Sequence, residues 1–171
     1  MKWLRVGLDV IGAASLLLAV GFGASIIYSS MSSGKENKAT RKDVLFILNS
    51  GGISTDQDYK IISSYQSPRS FTGDHIDYFC IELPKFEVTG PLTKEWHDGP
   101  ENDPLLAEAL KMAIDDAHQR GGGVPSIEEA NSAAIKVMFP LVVLRDRHVN
   151  EVEILLYDPQ KKMLFYVSSK T

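Results

Sequence analysis

Hydrophobic and polar positions divide the chain into one long apolar run near its start and a larger region of short apolar segments. Residues 10–28 are mostly apolar and carry no charged side chain, and they follow a short start that holds Lys2 and Arg5. Each helical residue rises about 1.5 Å, so this run nearly crosses a hydrocarbon core of about 30 Å. The pattern predicts a single transmembrane helix within residues 1–28.

The apolar run favours an uncleaved signal anchor over a cleaved secretion signal. A cleaved signal has an apolar stretch of about 7–15 residues and small residues before the cut. The run here is longer, and the Phe22-Gly23-Ala24 segment near its end has a bulky residue where a cleavage site needs a small one. We therefore interpret residues 1–28 as an anchor that stays in the bilayer.

Basic residues flank the apolar run on both sides and leave its orientation open. Lys2 and Arg5 adjoin the run, as in a secretory signal, whereas the more numerous downstream charges begin only at Lys35. The larger number of basic residues after the run favours a cytoplasmic C-terminal domain. The position of Lys2 and Arg5 close to the run favours the opposite orientation. We give proximity more weight and predict a single-pass protein of the bacterial inner membrane whose C-terminal domain lies in the periplasm.

Small residues recur every four positions on one face of the predicted anchor. Ser15, Ala19 and Gly23 form this stripe, and such spacing allows two membrane helices to approach closely. The stripe therefore predicts that a homodimer can form through the anchor. The competing interpretation is that small residues are simply common in membrane helices.

The region after the anchor is mildly acidic. Of the 18 basic and 22 acidic residues in the chain, two and one lie in residues 1–28, which leaves 16 against 21. Nucleic-acid binding calls for a clustered basic face, so this balance argues against a nucleic-acid partner.

Serine, glycine and alternating charge in residues 29–42 predict a flexible linker. Residues 43–171 are long enough for one soluble domain.

Three strands are predicted in the first half of this domain. Residues 44–48 are continuously apolar, which is typical of a central strand that is buried on both faces. Alternation over residues 59–66 predicts a second strand, and residues 75–83 predict a third that ends before Pro84.

The hydrophobic period then changes to that of helices. Asp103 is a good N-cap before a proline at the first helical position, and an apolar stripe through residues 105–117 predicts a helix that Gly121 ends. Ser126 begins a capping-box spacing, which predicts a second, shorter helix to about Lys136.

The last third of the chain returns to strands. Residues 141–144 are apolar, residues 151–156 alternate, and residues 163–167 complete a hairpin around the Asp158-Pro159 turn. Three strands, two helices and three strands in this order predict an α+β domain. Its sheet is expected to be largely antiparallel, with the two helices packed on one face.

The segment between the second and third predicted strands carries side chains that are common at binding surfaces. Aromatic residues and arginine dominate interaction hot spots, and a carboxylate beside a histidine can orient its ring. The candidate binding residues of this segment are Tyr65, Arg69, Phe71, Asp74 and His75. The competing interpretation is a plain hairpin whose turn is shaped by a proline and a glycine.

A second candidate surface lies in the long loop between residues 84 and 103. Loops of this length within a compact domain are often functional, and this one carries Trp96 and His97 beside acidic residues. The alternative interpretation is that Trp96 only fixes the loop to the core.

No set of residues matches a catalytic signature. Cys80 is the only cysteine and lies in an apolar run, with His75 on the opposite strand face by parity, which is typical of a buried, unreactive thiol. No serine occupies a Gly-x-Ser-x-Gly turn. We expect no catalytic residue, no metal site and no cofactor.

The sequence therefore favours a binding function over an enzyme. We predict a membrane-anchored extracytoplasmic module that recognises a protein partner at the bilayer surface, as an inhibitor, a toxin-immunity protein or an assembly subunit does. Two alternatives stay open. One is a small membrane-tethered enzyme that uses His75 with Asp74 or Asp77, and the other is a sensor domain for a small ligand.

Overall fold

The structure is a computed structural model that describes residues 39–70 and 72–171. The predicted anchor with its stripe of small residues, residues 29–38 of the predicted linker, and the candidate Phe71 lie outside the described residues. In the described part of the chain, no helix is long and apolar enough to cross a bilayer.

The described residues form three α-helices, one 3₁₀-helix and six β-strands. The helices are α1 (Arg41–Ser50), α2 (Pro104–Gln119) and α3 (Ile127–Ala130), and the 3₁₀-helix is Gly90–Lys94. The strands are β1 (Lys60–Gln66), β2 (His75–Glu82), β3 (His97–Asp98), β4 (Lys136–Arg145), β5 (His148–Asp158) and β6 (Met163–Lys170).

The six strands of the described region form one antiparallel sheet in the order β1-β2-β6-β5-β4-β3. The β1-β2 hairpin and the β4-β5-β6 meander are joined by pairing between β2 and β6, in which His75 lies opposite Lys170. The prediction of an α+β domain with a largely antiparallel sheet is therefore confirmed. The strands predicted at residues 59–66, at residues 75–83 and in the last third of the chain are also present.

One face of the sheet is covered by α2 and α3, the two helices predicted from the sequence. Ala113 and Ala117 of α2 are fully buried, because small side chains allow the helix to lie close to the sheet. The shorter helix, α3, ends at Ala130. The prediction that it continues to about Lys136 is wrong, because Lys136 already begins β4 and pairs with β5.

The opposite face of the sheet is covered by α1, which begins at Arg41 within the predicted linker. A capping box starts this helix: the Thr40 hydroxyl accepts from the Asp43 N–H, and the Asp43 carboxylate accepts from the Thr40 N–H at 2.7 Å. These bonds satisfy backbone donors at the helix start, and the helix continues to Ser50.

The apolar run that predicted a central strand is the buried face of α1. Val44, Ile47 and Leu48 are buried against the sheet, at the three- and four-residue spacing of one helical face. Phe46 points away from the core and is 57% exposed. The prediction of a strand at residues 44–48 is therefore wrong, because a short apolar run has no periodicity that separates a strand from a helix.

Candidate functional site

A cleft of about 430 Å³ lies beside the first half of α1, where the helix covers only part of its sheet face. The helix forms one wall, the sheet forms the floor, and the β1-β2 connection contributes Arg69. We call this space the α1 cleft. Its lining residues are Lys42, Asp43, Phe46, Ile47, Gln66, Arg69, His75, Asp77, Phe79, Glu153, Tyr166 and Ser168.

The register of the sheet brings polar residues from three strands into one row across the floor of the α1 cleft. Asp77 in β2 lies opposite Ser168 in β6, and Ser168 lies opposite Glu153 in β5. The next row along the same strands contains two aromatic residues and a leucine, with Phe79 opposite Tyr166 and Tyr166 opposite Leu155. Side chains two residues apart point to the same face of a sheet, so both rows face the α1 side.

Arg69 reaches from the β1-β2 connection to Asp77 and forms a two-point contact. Its Nη1 and Nη2 atoms donate to Oδ1 and Oδ2 at 3.1 and 2.7 Å. The Asp77 side chain is only 7% exposed, whereas the Arg69 side chain is 53% exposed. The pair therefore neutralises a buried carboxylate and leaves much of the arginine accessible to a binding partner.

His75 is held by hydrogen bonds at both ring nitrogens. Its Nδ1 lies 2.9 Å from the Gly73 carbonyl oxygen, and its Nε2 lies 2.9 Å from the Ser168 hydroxyl oxygen. A carbonyl oxygen only accepts, so we assign the proton of the neutral ring to Nδ1. The Nε2 atom then accepts a hydrogen bond from Ser168, which is 3% exposed.

Asp74 does not contact the His75 ring, although the sequence suggested that it orients the imidazole. The Asp74 carboxylate accepts a hydrogen bond from the Thr72 hydroxyl, and both nitrogens of His75 bind other groups. Asp77, the second carboxylate considered beside His75, is bound by Arg69. The structure thus brings Arg69 and His75 into one cleft, but His75 is bound by Gly73 and Ser168 and not by the expected carboxylate.

Glu153 and Tyr166 are neighbouring acidic groups in the lining of the α1 cleft. Burial raises the pKa of the Glu153 carboxyl above its ordinary value, and the Glu151 charge adds to this rise. The Tyr166 hydroxyl and the charges of His75 and Arg69 oppose it. Burial and the nearby Glu153 charge also raise the pKa of the Tyr166 phenol far above its ordinary value. The phenol therefore remains protonated beside the carboxylate.

Glu153 differs from the neighbouring carboxylates on this face of the sheet in its lack of an ion pair. Asp77 pairs with Arg69 at 2.7 Å, and Glu151 pairs with the Lys170 ammonium at 2.9 Å. Within the described residues, no lysine, arginine or histidine nitrogen forms a salt bridge with Glu153. The Glu153 carboxylate is therefore half-buried without an ion pair in the described chain, although the charges of His75 and Arg69 act on it across the cleft.

Aromatic side chains stand on two sides of the α1 cleft. Phe46 projects from α1 and is 57% exposed, while Phe79 and Tyr166 form part of the floor. The rings of Phe79 and Tyr166 meet edge to face, with their centroids 6.0 Å apart. The cleft therefore combines rigid aromatic surface with charged groups, a composition that is typical of interaction hot spots.

Tyr65 lies on the other face of the sheet, away from the α1 cleft. It pairs with Tyr78 across β1 and β2, and the two rings stack with their centroids 5.8 Å apart. It also packs against the core beneath α2. The structure therefore separates Tyr65 from Arg69 and His75.

Trp96 and His97 make structural contacts and do not line the α1 cleft. The Trp96 indole donates from Nε1 to the Gly51 carbonyl oxygen at 2.8 Å, and its ring meets Phe86 edge to face at 4.9 Å. His97 Nε2 lies 2.8 Å from a Glu101 carboxylate oxygen. These contacts favour the interpretation that Trp96 fixes the long loop to the core.

Cys80 is buried in the core beneath α2, on the sheet face opposite His75. Strand parity predicted this separation, which keeps the imidazole away from the thiol. Burial raises the pKa of the Cys80 thiol above its ordinary value. These properties are those of a small core residue and not of a nucleophile.

Several residues of the α1 cleft were not identified from the sequence. Phe46 was assigned to a buried strand, and Glu153, Tyr166 and Ser168 lie far from Arg69 along the chain. Alternation placed Glu153 on the less apolar face of its strand, which was an available signal. Only the pairing of β2 with β6 shows that this face meets the β1-β2 connection.

Comparison with known proteins adds no relative to this description. The chain matches no protein-family model, no curated protein and no solved structure. Across residues 39–70 and 72–171, no group of three or more His, Cys, Asp or Glu side chains is arranged to hold a metal ion.

Proposed function

We propose that the chain is a membrane-anchored, extracytoplasmic module that binds a protein partner through the α1 cleft, in the manner of an inhibitor, a toxin-immunity protein or an assembly subunit. The main supporting observation is that Phe46, a large aromatic residue, is 57% exposed in the same cleft as Arg69. Aromatic and arginine side chains contribute much of the energy at protein interfaces. A partner that covers Phe46 gains apolar burial that folding of this domain does not provide.

The polar groups of the α1 cleft are already held in place before a partner binds. Arg69 is fixed by two hydrogen bonds to Asp77, and His75 is fixed at both ring nitrogens. Binding to such ordered side chains loses less conformational entropy than binding to mobile ones. This order supports a recognition surface that a partner contacts without extensive rearrangement.

Site-specific photocrosslinking in the native membrane tests the proposal. A photoreactive residue is introduced at Phe46 of the full-length chain, and the control carries it at Leu105, a 40% exposed residue of α2. We expect one partner protein to crosslink in stoichiometric amounts at position 46 and not at position 105. Similar adducts at both positions, or no adduct at either, would contradict recognition through the α1 cleft.

Alanine variants give a matched measure of the same contact. Phe46→Ala and Leu105→Ala each remove an exposed apolar side chain, so each is expected to change the unfolding free energy by less than about 1 kcal/mol. We expect Phe46→Ala to reduce partner recovery about tenfold, which corresponds to about 1.4 kcal/mol of binding energy. Equal recovery with the two variants would rule out Phe46 as a binding residue.

A small enzyme is the second candidate function, because the structure places a hydroxyl beside a possible base. Ser168 Oγ lies 2.9 Å from His75 Nε2, which is the separation of a serine nucleophile from its general base. This arrangement differs from the predicted use of His75 with Asp74 or Asp77, because Nδ1 of the ring binds the Gly73 carbonyl oxygen and not a carboxylate. Against this role, the Ser168 side chain is buried and also contacts Tyr166.

A serine-directed fluorophosphonate probe distinguishes the two functions. Recognition predicts that Ser168 of the full-length protein remains unlabelled, as in the His75→Ala variant. Labelling of Ser168 in the wild type that is lost in His75→Ala would establish an activated serine and favour the enzyme.

A further inference from the structure

The charges around Glu153 indicate what kind of group a partner places in the α1 cleft. Asp77 and Glu151 lie on the same face of the sheet as Glu153, with Ser168 between Asp77 and Glu153, and each has its own cation, Arg69 and Lys170 respectively. In the described chain, Glu153 has no ion pair. A carboxylate held partly away from water without an ion pair is costly, and a cation supplied by a ligand lowers that cost.

We propose that the α1 cleft contains a subsite for a basic side chain, the guanidinium or ammonium group of an arginine or lysine residue of the bound partner, formed by Glu153 and by the aromatic rings of Phe46 and Tyr166. This inference rests on the proposed recognition function, since it names the chemistry of the group that the partner inserts. Glu153 provides the opposite charge, while Phe46 lies on the α1 wall and Tyr166 lies in the floor.

The aromatic residues favour a cation over a neutral polar group. Phe46, Phe79 and Tyr166 line the same cleft as Glu153, and a cation near the face of an aromatic ring is attracted by the ring quadrupole. A guanidinium group adds planar stacking and can pair with both carboxylate oxygens, whereas an ammonium group acts as a point charge. Both groups fit the subsite, so arginine and lysine are the two side chains to compare.

An anionic group fits the subsite poorly. The guanidinium of Arg69 already donates from both Nη atoms to Asp77, and Lys42 is the other strong base in the lining. Asp43, Asp77 and Glu153 contribute three carboxylates to the same lining, so an added anion meets repulsion from Glu153 without a free bidentate donor. The cleft therefore discriminates in favour of a positive group.

A direct test uses the full-length protein in bilayer nanodiscs and short peptides as probes. The probes are acetyl-Gly-Arg-Gly-amide and acetyl-Gly-Lys-Gly-amide, with acetyl-Gly-Gln-Gly-amide as the neutral control. Carbon-13 NMR follows the carboxyl resonance of Glu153, which is assigned by its loss in Glu153→Gln. We expect the basic probes to lower the pH midpoint of this resonance and the neutral probe to leave it unchanged.

Glu151 provides a matched control for Glu153. Both are glutamates of β5 on the same face, and Glu151 has its ion pair with Lys170. We expect Glu153→Gln to weaken binding of the arginine probe at least about tenfold and Glu151→Gln to change it less than about twofold. Equal loss in the two variants, or no difference between basic and neutral probes, would overturn the inference.

Partner crosslinking at position 46 separates the inference from the proposed function. A crosslinked partner that is lost in Glu153→Gln and kept in Glu151→Gln supports both. A partner that crosslinks equally well with Glu153→Gln leaves recognition in place and removes the basic subsite. Binding of the basic probes without any crosslinked protein would keep the subsite and overturn the protein-recognition function.

Discussion

Arg69 donates two hydrogen bonds to Asp77, at 3.1 and 2.7 Å, and so ties the β1-β2 connection to the strand that forms the cleft floor. The Asp77 side chain is 7% exposed, and an unpaired carboxylate at such a position is costly. The stability of the fold and the position of the exposed guanidinium therefore depend on the same contact.

Replacing Arg69 with alanine is expected to lower the free energy of unfolding by about 1–3 kcal/mol, because Asp77 is left buried without these two donors. The loss is smaller than for a fully buried pair, since the Arg69 side chain is 53% exposed. Urea unfolding of the full-length protein in detergent micelles, followed by circular dichroism, measures the change.

The double variant Arg69→Ala/Asp77→Asn is the control for this prediction. Removing the negative charge together with its partner is expected to restore part of the lost stability, because a buried amide is less costly than a buried carboxylate. A double variant that is no more stable than Arg69→Ala would show that the Asp77 charge is not the cause.

The sequence predicted most of the sheet and α2 but assigned α1 to the wrong kind of element. Alternation in the strands and the Asp103 cap of α2 are local signals, and the structure agrees with both. In α1, the buried residues Val44, Ile47 and Leu48 have helical spacing. Phe46 obscured that spacing by placing an apolar side chain on the solvent side, which is the feature that makes it a candidate contact.

The candidate site was predictable only where its residues lie in one segment. Arg69 and His75 come from the β1-β2 connection and were identified from residue type. Glu153 and Ser168 reach the same cleft through the register of β2, β6 and β5. Long-range pairing of this kind depends on how whole strands bury their faces, which no single segment of sequence contains.

Trp96→Phe is expected to lower the free energy of unfolding by about 1–2 kcal/mol. The phenyl ring keeps contact with Phe86, but the Nε1 hydrogen bond to the Gly51 carbonyl is lost. Urea unfolding measures the loss, and partner crosslinking at Phe46 is expected to remain. Lost crosslinking with unchanged stability would instead make Trp96 part of a contact surface.

Arg147→Gly is expected to raise the free energy of unfolding by about 0.5–1 kcal/mol. The β4-β5 turn holds Asp146 at φ 52° and Arg147 at φ 69°, a region that favours glycine. Arg147→Ala removes the same charge while keeping the strained backbone, and we expect it to leave stability nearly unchanged. Equal stabilisation by alanine and glycine would assign the effect to charge and not to backbone conformation.

Glu153→Gln is expected to stabilise the free protein while it weakens partner binding. Burial raises the pKa of the Glu153 carboxyl above its ordinary value of 4.5, so the charged form is less favourable in the folded state than in the unfolded state. The charge therefore lowers stability near neutral pH, and this loss disappears as the pH falls through the raised pKa and below 4.5.

Urea unfolding across this pH range is expected to show Glu153→Gln more stable than the wild type near neutral pH and equal to it in acid. Glu151→Gln, which breaks the ion pair with Lys170, is expected to show no such gain. A Glu153→Gln variant that is less stable at neutral pH would mean that the described chain already compensates the charge, and the reason for a cationic partner group would be lost.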